Sequence, residues 1–291
     1  MTHGCGKADA VVRTLRLMLG LALSLALVML LVRTFVATLA AAAEPSFDCR
    51  TAKTARELAT CGDLKLAAAD RELAADWHET VAHLDPATAK ALREDQRKFL
   101  SDIDAGFDAE LWGKQDPPEG KELRAQIAQL HRGGDYDALA ALEAELRERI
   151  GFLRHLAPTA SLVGLWKNHN SELLVTVANG DAYRATYGTT NFGWAKYHCH
   201  FTAAFAPASG AGDRRLAARA PHNTDPEIDD VSASTPFMAR DGALLMLAEE
   251  IPDNVGEAQL SRICPRRGEF DEPLFHTSLR AEDARRLKPD E

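Results

Sequence analysis

The side chains best equipped for chemistry lie in the second half of the chain. His198 and His200 straddle Cys199, and at positions i and i+2 of a strand they would share one face. With His169, His222 or His276 they would offer the imidazole donors that suit zinc or copper, yet no spacing fixes a third ligand. Polar side chains on an outer sheet face are the default expectation. Asp225, Glu227, Asp229 and Asp230 make an acidic stretch of the kind that holds calcium, but it lacks the glycine and the later glutamate of an EF-hand, which favours a solvated loop. Glu249 and Glu250 pair two carboxylates, but neighbours on a strand point to opposite faces, against the separation a glycosidase requires. Gly-x-Ser-x-Gly, P-loop and dinucleotide-binding fingerprints are absent from the sequence. The expectation is no catalytic residue, no cofactor and no metal.

Cysteine usage points to an oxidising compartment. Cys5 precedes an apolar run, leaving Cys49, Cys61, Cys199 and Cys264 as an even set. Three pairings are open to four cysteines, and spacing favours the local ones. Cys49 and Cys61 flank a short helical segment, whereas Cys199 and Cys264 both fall in strand-like sequence. None belongs to a Cys-x-x-Cys pair, which argues against redox catalysis or a zinc cage. Nor does a lipobox-like run of small residues immediately precede any of them, against a lipoprotein.

The N-terminus agrees. Lys7, Arg13 and Arg16 lead into an uncharged run from Leu17 to Val32, and small residues follow up to Ala43. This is the three-part pattern of a secretory signal, with the expected cleavage after Ala41-Ala42-Ala43. Those sixteen residues rise about 24 Å as a helix, short of a hydrocarbon core of roughly 30 Å. The alternative is an uncleaved anchor reaching past Arg33 to Ala43. Either way the remainder is expected to be periplasmic or secreted, touching a membrane only through residues 1–43.

The 291-residue chain carries a net charge of −9, and residues 44–291, with 30 basic and 42 acidic side chains, reach −12. Such a field repels nucleic acid and other polyanions and attracts basic proteins. With 46% apolar residues, the chain can build real cores.

Two kinds of periodicity divide the remainder. Thr54 with Glu57 three residues on predicts a capping box opening a short helix that ends at Cys61. Leu66, Leu73, Trp77, Val81 and Leu84 predict a helix over 64–84, and Asp85-Pro86 opens another carrying Leu92, Phe99, Leu100, Ile103 and Phe107. Beyond Pro117-Pro118, two further helices carry Leu123, Ile127 and Leu130, then Leu139, Leu142, Leu146, Ile150 and Leu153. Past Pro158 strands are expected at 173–177 and 183–187 (a hairpin turning at Asn179-Gly180), 197–205, 216–219, 237–239, 243–248, 260–264 and 274–278. The predicted class is α+β: an N-terminal disulfide-stapled helical bundle, then an antiparallel β-sandwich or small barrel. Expected divisions are a signal or anchor over 1–43, a helical domain over 44–112, additional helices over 113–158, a β-rich domain over 159–280 and a polar tail over 281–291.

Residues 45–107 resemble the N-terminal domain of the LprI-type lysozyme-inhibitor family. The matching positions are Ser46-Phe47-Asp48-Cys49, Ala52, Thr54, Glu57, Cys61, Leu66, Asp70 and Leu73, with Trp77 where the family usually has tyrosine. Leu92, Gln96, Phe99 (usually tryptophan), Leu100 and Asp104 continue the match. Ile103 and Gly106-Phe107 stand where members often carry an arginine and a further cysteine, so any bridge formed there is missing. The resemblance implies a secreted helical domain that binds or inhibits lysozyme-type muramidases, with a basic enzyme as partner. It implies structural roles for Thr54, Glu57, Asp70, Trp77, Gln96, Phe99 and Asp104. Asp70, Gln96 and Asp104 are expected to be buried hydrogen-bonding groups joining the two helices. Binding of a small molecule or metal through the β half is the alternative expectation.

Overall fold

The computed structural model describes residues 44–113, 115–133, 136–178, 182–189, 199–207, 215–223, 235–250 and 272–284. Along parts of the four strands between 199 and 250 only the course of the backbone is described. The predicted signal, Cys264, the acidic stretch at 225–230, the strand expected at 260–264 and most of the polar tail lie outside these residues.

Among the described residues five α-helices come before the strands: α1 (Ala55–Gly62), α2 (Leu64–Ala82), α3 (Pro86–Trp112), α4 (Gly120–Gly133) and α5 (Tyr136–His155). Local chemistry sets their starts. The Thr54 hydroxyl accepts from the Glu57 amide at 3.2 Å while the Glu57 carboxylate accepts from the Thr54 amide at 3.1 Å, the reciprocal cap expected. Asp63 caps α2 through the amides of Lys65 and Leu66, and Asp85 caps α3 through Ala87 and Thr88, with Pro86 at the first helical position. Gly113, at φ 61°, ends α3 in a conformation that costs other residues more. The Cys49–Cys61 disulfide ties the segment before α1 to its last turn.

The apolar stripes of all five helices merge in one core, so the two helices after Pro118 pack with the three before it. Leu66, Leu92, Phe99, Ile103, Leu123, Ile127, Leu146 and Ile150 are all buried there.

Among the described residues eight strands follow: β1 (Gly164–Lys167), β2 (Ser171–Val177), β3 (Tyr183–Thr189), β4 (Cys199–Pro207), β5 (Arg215–Asn223), β6 (Thr235–Asp241), β7 (Leu244–Glu250) and β8 (Pro273–Thr277). Each pairs antiparallel with the next, and β8 returns to β1, closing an up-and-down barrel. The chain is therefore mixed α+β, with a curled antiparallel sheet. β1 is absent from the expected strands because Leu165-Trp166 is too short an apolar stretch to announce itself.

Alternation along the strands fills the barrel. Leu173 lies opposite Tyr187, Val175 opposite Ala185, and Met238 opposite Leu247. With Trp166, Phe205, Leu216, Leu245 and Leu274 they form a second core, as expected for an eight-stranded barrel packed by its own side chains.

The helical core meets the barrel at β7 and β8, through Leu244 and Phe275. Phe275 of β8 faces out of the barrel and joins the helical core, its ring edge-on to Phe152 of α5 at 6.0 Å. The chain leaving α5 runs along β8: Ala157 donates its amide to the His276 carbonyl at 2.9 Å, and Ser278 to the His155 carbonyl at 2.7 Å.

Candidate functional site

Charged residues stand on the apolar stripes of two helices. Asp95 lies between Leu92 and Phe99 on α3, and Arg149 lies three residues after Leu146 on α5. Both are buried, and they meet at 2.7 Å. The Arg149 guanidinium also lies over the rings of Phe99 and Phe152, 5.1 and 4.6 Å from their centroids, and its Nε donates to Gln96 Oε1 at 2.7 Å.

His169, in the turn between β1 and β2, enters this cluster from the barrel. Its amide and its Nδ1 both donate to Asp95 Oδ1 at 2.8 Å, while Nε2 lies 3.2 Å from Asp102 and Nδ1 3.4 Å from Glu272. Burial alone would lower the pKa of this ring, but bonds to Asp102 and Asp95 and the charges of Asp95 and Glu272 outweigh it, raising it to about 9. His169 is thus an imidazolium at neutral pH. Burial would raise the Asp95 carboxyl, but Arg149 and His169 hold it below the usual carboxylate range. Lys98 bonds Glu272 at 2.6 Å on the rim. Beside this cluster, the Lys167–Glu172 pair, one residue from each of β1 and β2, is buried at 2.6 Å, with Glu148 of α5 at 3.4 Å from the ammonium.

Every charge in this cluster faces another from a different element, an arrangement that fixes barrel to helices. Buried pairs of this kind specify an orientation more than they add net stability.

Asp70, Gln96 and Asp104 do not form the expected buried link between α2 and α3: Gln96 and Asp104 are half-buried, and the partners of all three lie elsewhere. Asp70 accepts from the Ser46 amide at 2.7 Å, anchoring the segment before the disulfide. Asp104 accepts from Arg56 Nε at 2.8 Å, joining α3 to α1, and Gln96 joins α3 to α5. Phe99 is buried, and Trp77 packs against the helical core.

Of the candidate histidines, His276 stands apart from His169. His169 lies at one end of the barrel and His276 at the other, where its Nδ1 donates to the Ala157 carbonyl at 2.8 Å. His200 sits opposite Gly188 and His222 opposite Thr202, while His198 lies outside the described residues. Cys199 begins β4 opposite Thr189, and Glu249 and Glu250 end β7 opposite Pro236 and Thr235. Among the described residues, no group of three or more His, Cys, Asp or Glu side chains is placed to hold a metal. No helix among them is long and apolar enough to cross a membrane.

The end of the barrel away from His169 carries a cavity of about 450 Å³. Its walls are Tyr183, Leu216, Met238, Arg240 and Leu245, and its roof is the segment 160–163. The roof is tethered from below. Arg240 donates to the carbonyls of Thr159 and Ala160, and the buried Trp166 indole donates to the Leu162 carbonyl at 2.8 Å.

Comparisons with protein-family models, curated proteins and solved structures find no match.

Proposed function

We propose that this chain is an exported cell-envelope binding protein that inhibits a basic lysozyme-type muramidase by direct contact. Its helical part serves as a disulfide-stapled bundle and its barrel as a rigid support. One observation carries the reading beyond the resemblance over residues 45–107. The end of α3 and the start of α4 gather acidic side chains: Asp108 lies one turn from Asp104, and Glu110, Asp116, Glu119 and Glu122 are exposed. Burial and the neighbouring Asp104 charge raise the pKa of the Asp108 carboxyl. Such a region lowers its own electrostatic cost by meeting a cation-rich surface, and it steers a basic enzyme toward the protein.

The test is a lysozyme-driven lysis assay with the purified protein. Addition of the protein should slow lysis, increasing salt should weaken the effect, and the Glu110→Gln/Asp116→Asn/Glu119→Gln variant should inhibit less. Absence of any complex at low salt would overturn the proposal.

A further inference from the structure

We infer that the roofed end of the barrel is a binding site for a small amphipathic anion, a single short apolar tail bearing a carboxylate or similar head. This site is independent of the proposed muramidase contact, since it lies in the barrel and uses none of the acidic residues of α3 and α4.

Three features converge on that ligand. First, the cavity of about 450 Å³ falls within the range of small-molecule sites, and its deeper walls are the apolar side chains of Leu216, Met238 and Leu245. A lipid with two long chains exceeds such a space, which favours a small free molecule.

Second, the cavity holds a cation whose charge is matched by none of the described carboxylates. The Arg240 guanidinium, on the cavity wall, uses three of its N–H groups on the carbonyls of Thr159, Ala160 and Gly242. A guanidinium has five such donors, so two remain. Carbonyls satisfy hydrogen bonds without cancelling charge, and among the described residues no carboxylate lies within ion-pair distance of Arg240. The arrangement leaves a fixed positive group, held in place by its own roof contacts, beside the apolar side chains of Leu216, Met238 and Leu245.

Third, the rim is apolar where a barrel end is ordinarily polar. Only three large hydrophobic side chains are exposed among the described residues, and two of them, Val163 at 38% and Val177 at 67%, stand at this end of the barrel. Val163 lines the cavity, and Val177 is paired with the cavity residue Tyr183. An entering tail would cover both.

The experiment uses the purified protein, kept free of detergent, and a dansyl-labelled undecanoic acid whose emission rises in an apolar site. Decanoate, decanol and decyltrimethylammonium then compete for the probe. The probe should bind saturably, and decanoate should displace it at about tenfold lower concentration than the alcohol, with the cation weaker still. Val163→Glu/Val177→Glu, at exposed positions that the fold does not depend on, should weaken decanoate by about tenfold, by adding charge of the wrong sign at the entrance. Arg240→Gln should erase the preference of acid over alcohol. Circular dichroism and thermal melting confirm that each variant is folded. Failure to bind the probe saturably, equal displacement by acid and cation, or an unchanged affinity in the rim variant would each overturn the inference. Loss of lysozyme inhibition without loss of probe binding, or the reverse, separates this site from the proposed enzyme contact.

Discussion

Raising the pH from 6.5 to about 9 should loosen the attachment of barrel to helices, because it removes the proton that His169 holds between two carboxylates. The folded-state pKa of about 9 lies above the ordinary value of 6.5. The folded protein therefore binds the proton more tightly than the unfolded chain. The resulting stability is fully present below pH 6.5, declines through the interval and is gone above about pH 9. A displacement of that size corresponds to about 3 kcal/mol, and the His169 side chain, 3% exposed, needs little discount for solvent screening. The appropriate assay is urea unfolding at closely spaced pH values, comparing the protein with His169→Asn. The parent should lose about 3 kcal/mol relative to the variant across this interval, with the two curves parallel above it and, below it, down to the carboxylate range. Equal pH dependence in parent and variant would refute the assignment of a proton-dependent clamp to His169. At the acid end the sign reverses: Asp95, whose carboxyl is held low by Arg149 and His169, contributes stability that is lost as the pH falls below the ordinary carboxylate range.

Other expectations follow from the same geometry. Arg149→Met, which leaves Asp95 buried beside His169 without its guanidinium, should cost about 3–5 kcal/mol in denaturant unfolding, and pairing it with Asp95→Asn should recover part of that loss. Cys61→Ser opens a link of sequence separation 12 and should lower stability by about 3 kcal/mol, seen as a drop in the melting temperature that reductant reproduces in the parent. Thr54→Ala removes one half of the reciprocal cap and should cost about 1 kcal/mol, with amide exchange accelerating in the first turn of α1.

The helices were legible because their signals are local. Thr54 with Glu57, Asp85 with Pro86, and the leucine spacings each specify a start or a face within one or two turns. The pairing of β2 with β3 is legible for the same reason, while the turn expected at Asn179-Gly180 lies outside the described residues. Closure of the barrel was not, since the pairing of β8 with β1 joins residues more than a hundred positions apart and β1 has only four residues. The charged cluster left a trace that reads clearly only in retrospect. Asp95 and Arg149 interrupt apolar stripes at positions where solvent-facing charges do not belong. His169 shows in sequence only as one more imidazole, a candidate ligand among five. Its position between Asp95 and Asp102 depends on how the barrel seats against α3, which no local pattern encodes. The cavity under residues 160–163 was equally hidden, because its walls come from strands far apart in the chain.

The seven residues from Glu272 to Ser278 bear on the order in which the molecule can be assembled. Within this short span Glu272 meets Lys98 and His169, Leu274 enters the barrel, Phe275 enters the helical core, and Ser278 ties back to the end of α5. A nascent chain lengthening from its N-terminus reaches this span only after α1–α5 and β1–β7 have been made. Until then the helices keep an uncovered apolar seam and the sheet two unsatisfied edges. Completion of the contacts between the two cores is therefore deferred to β8.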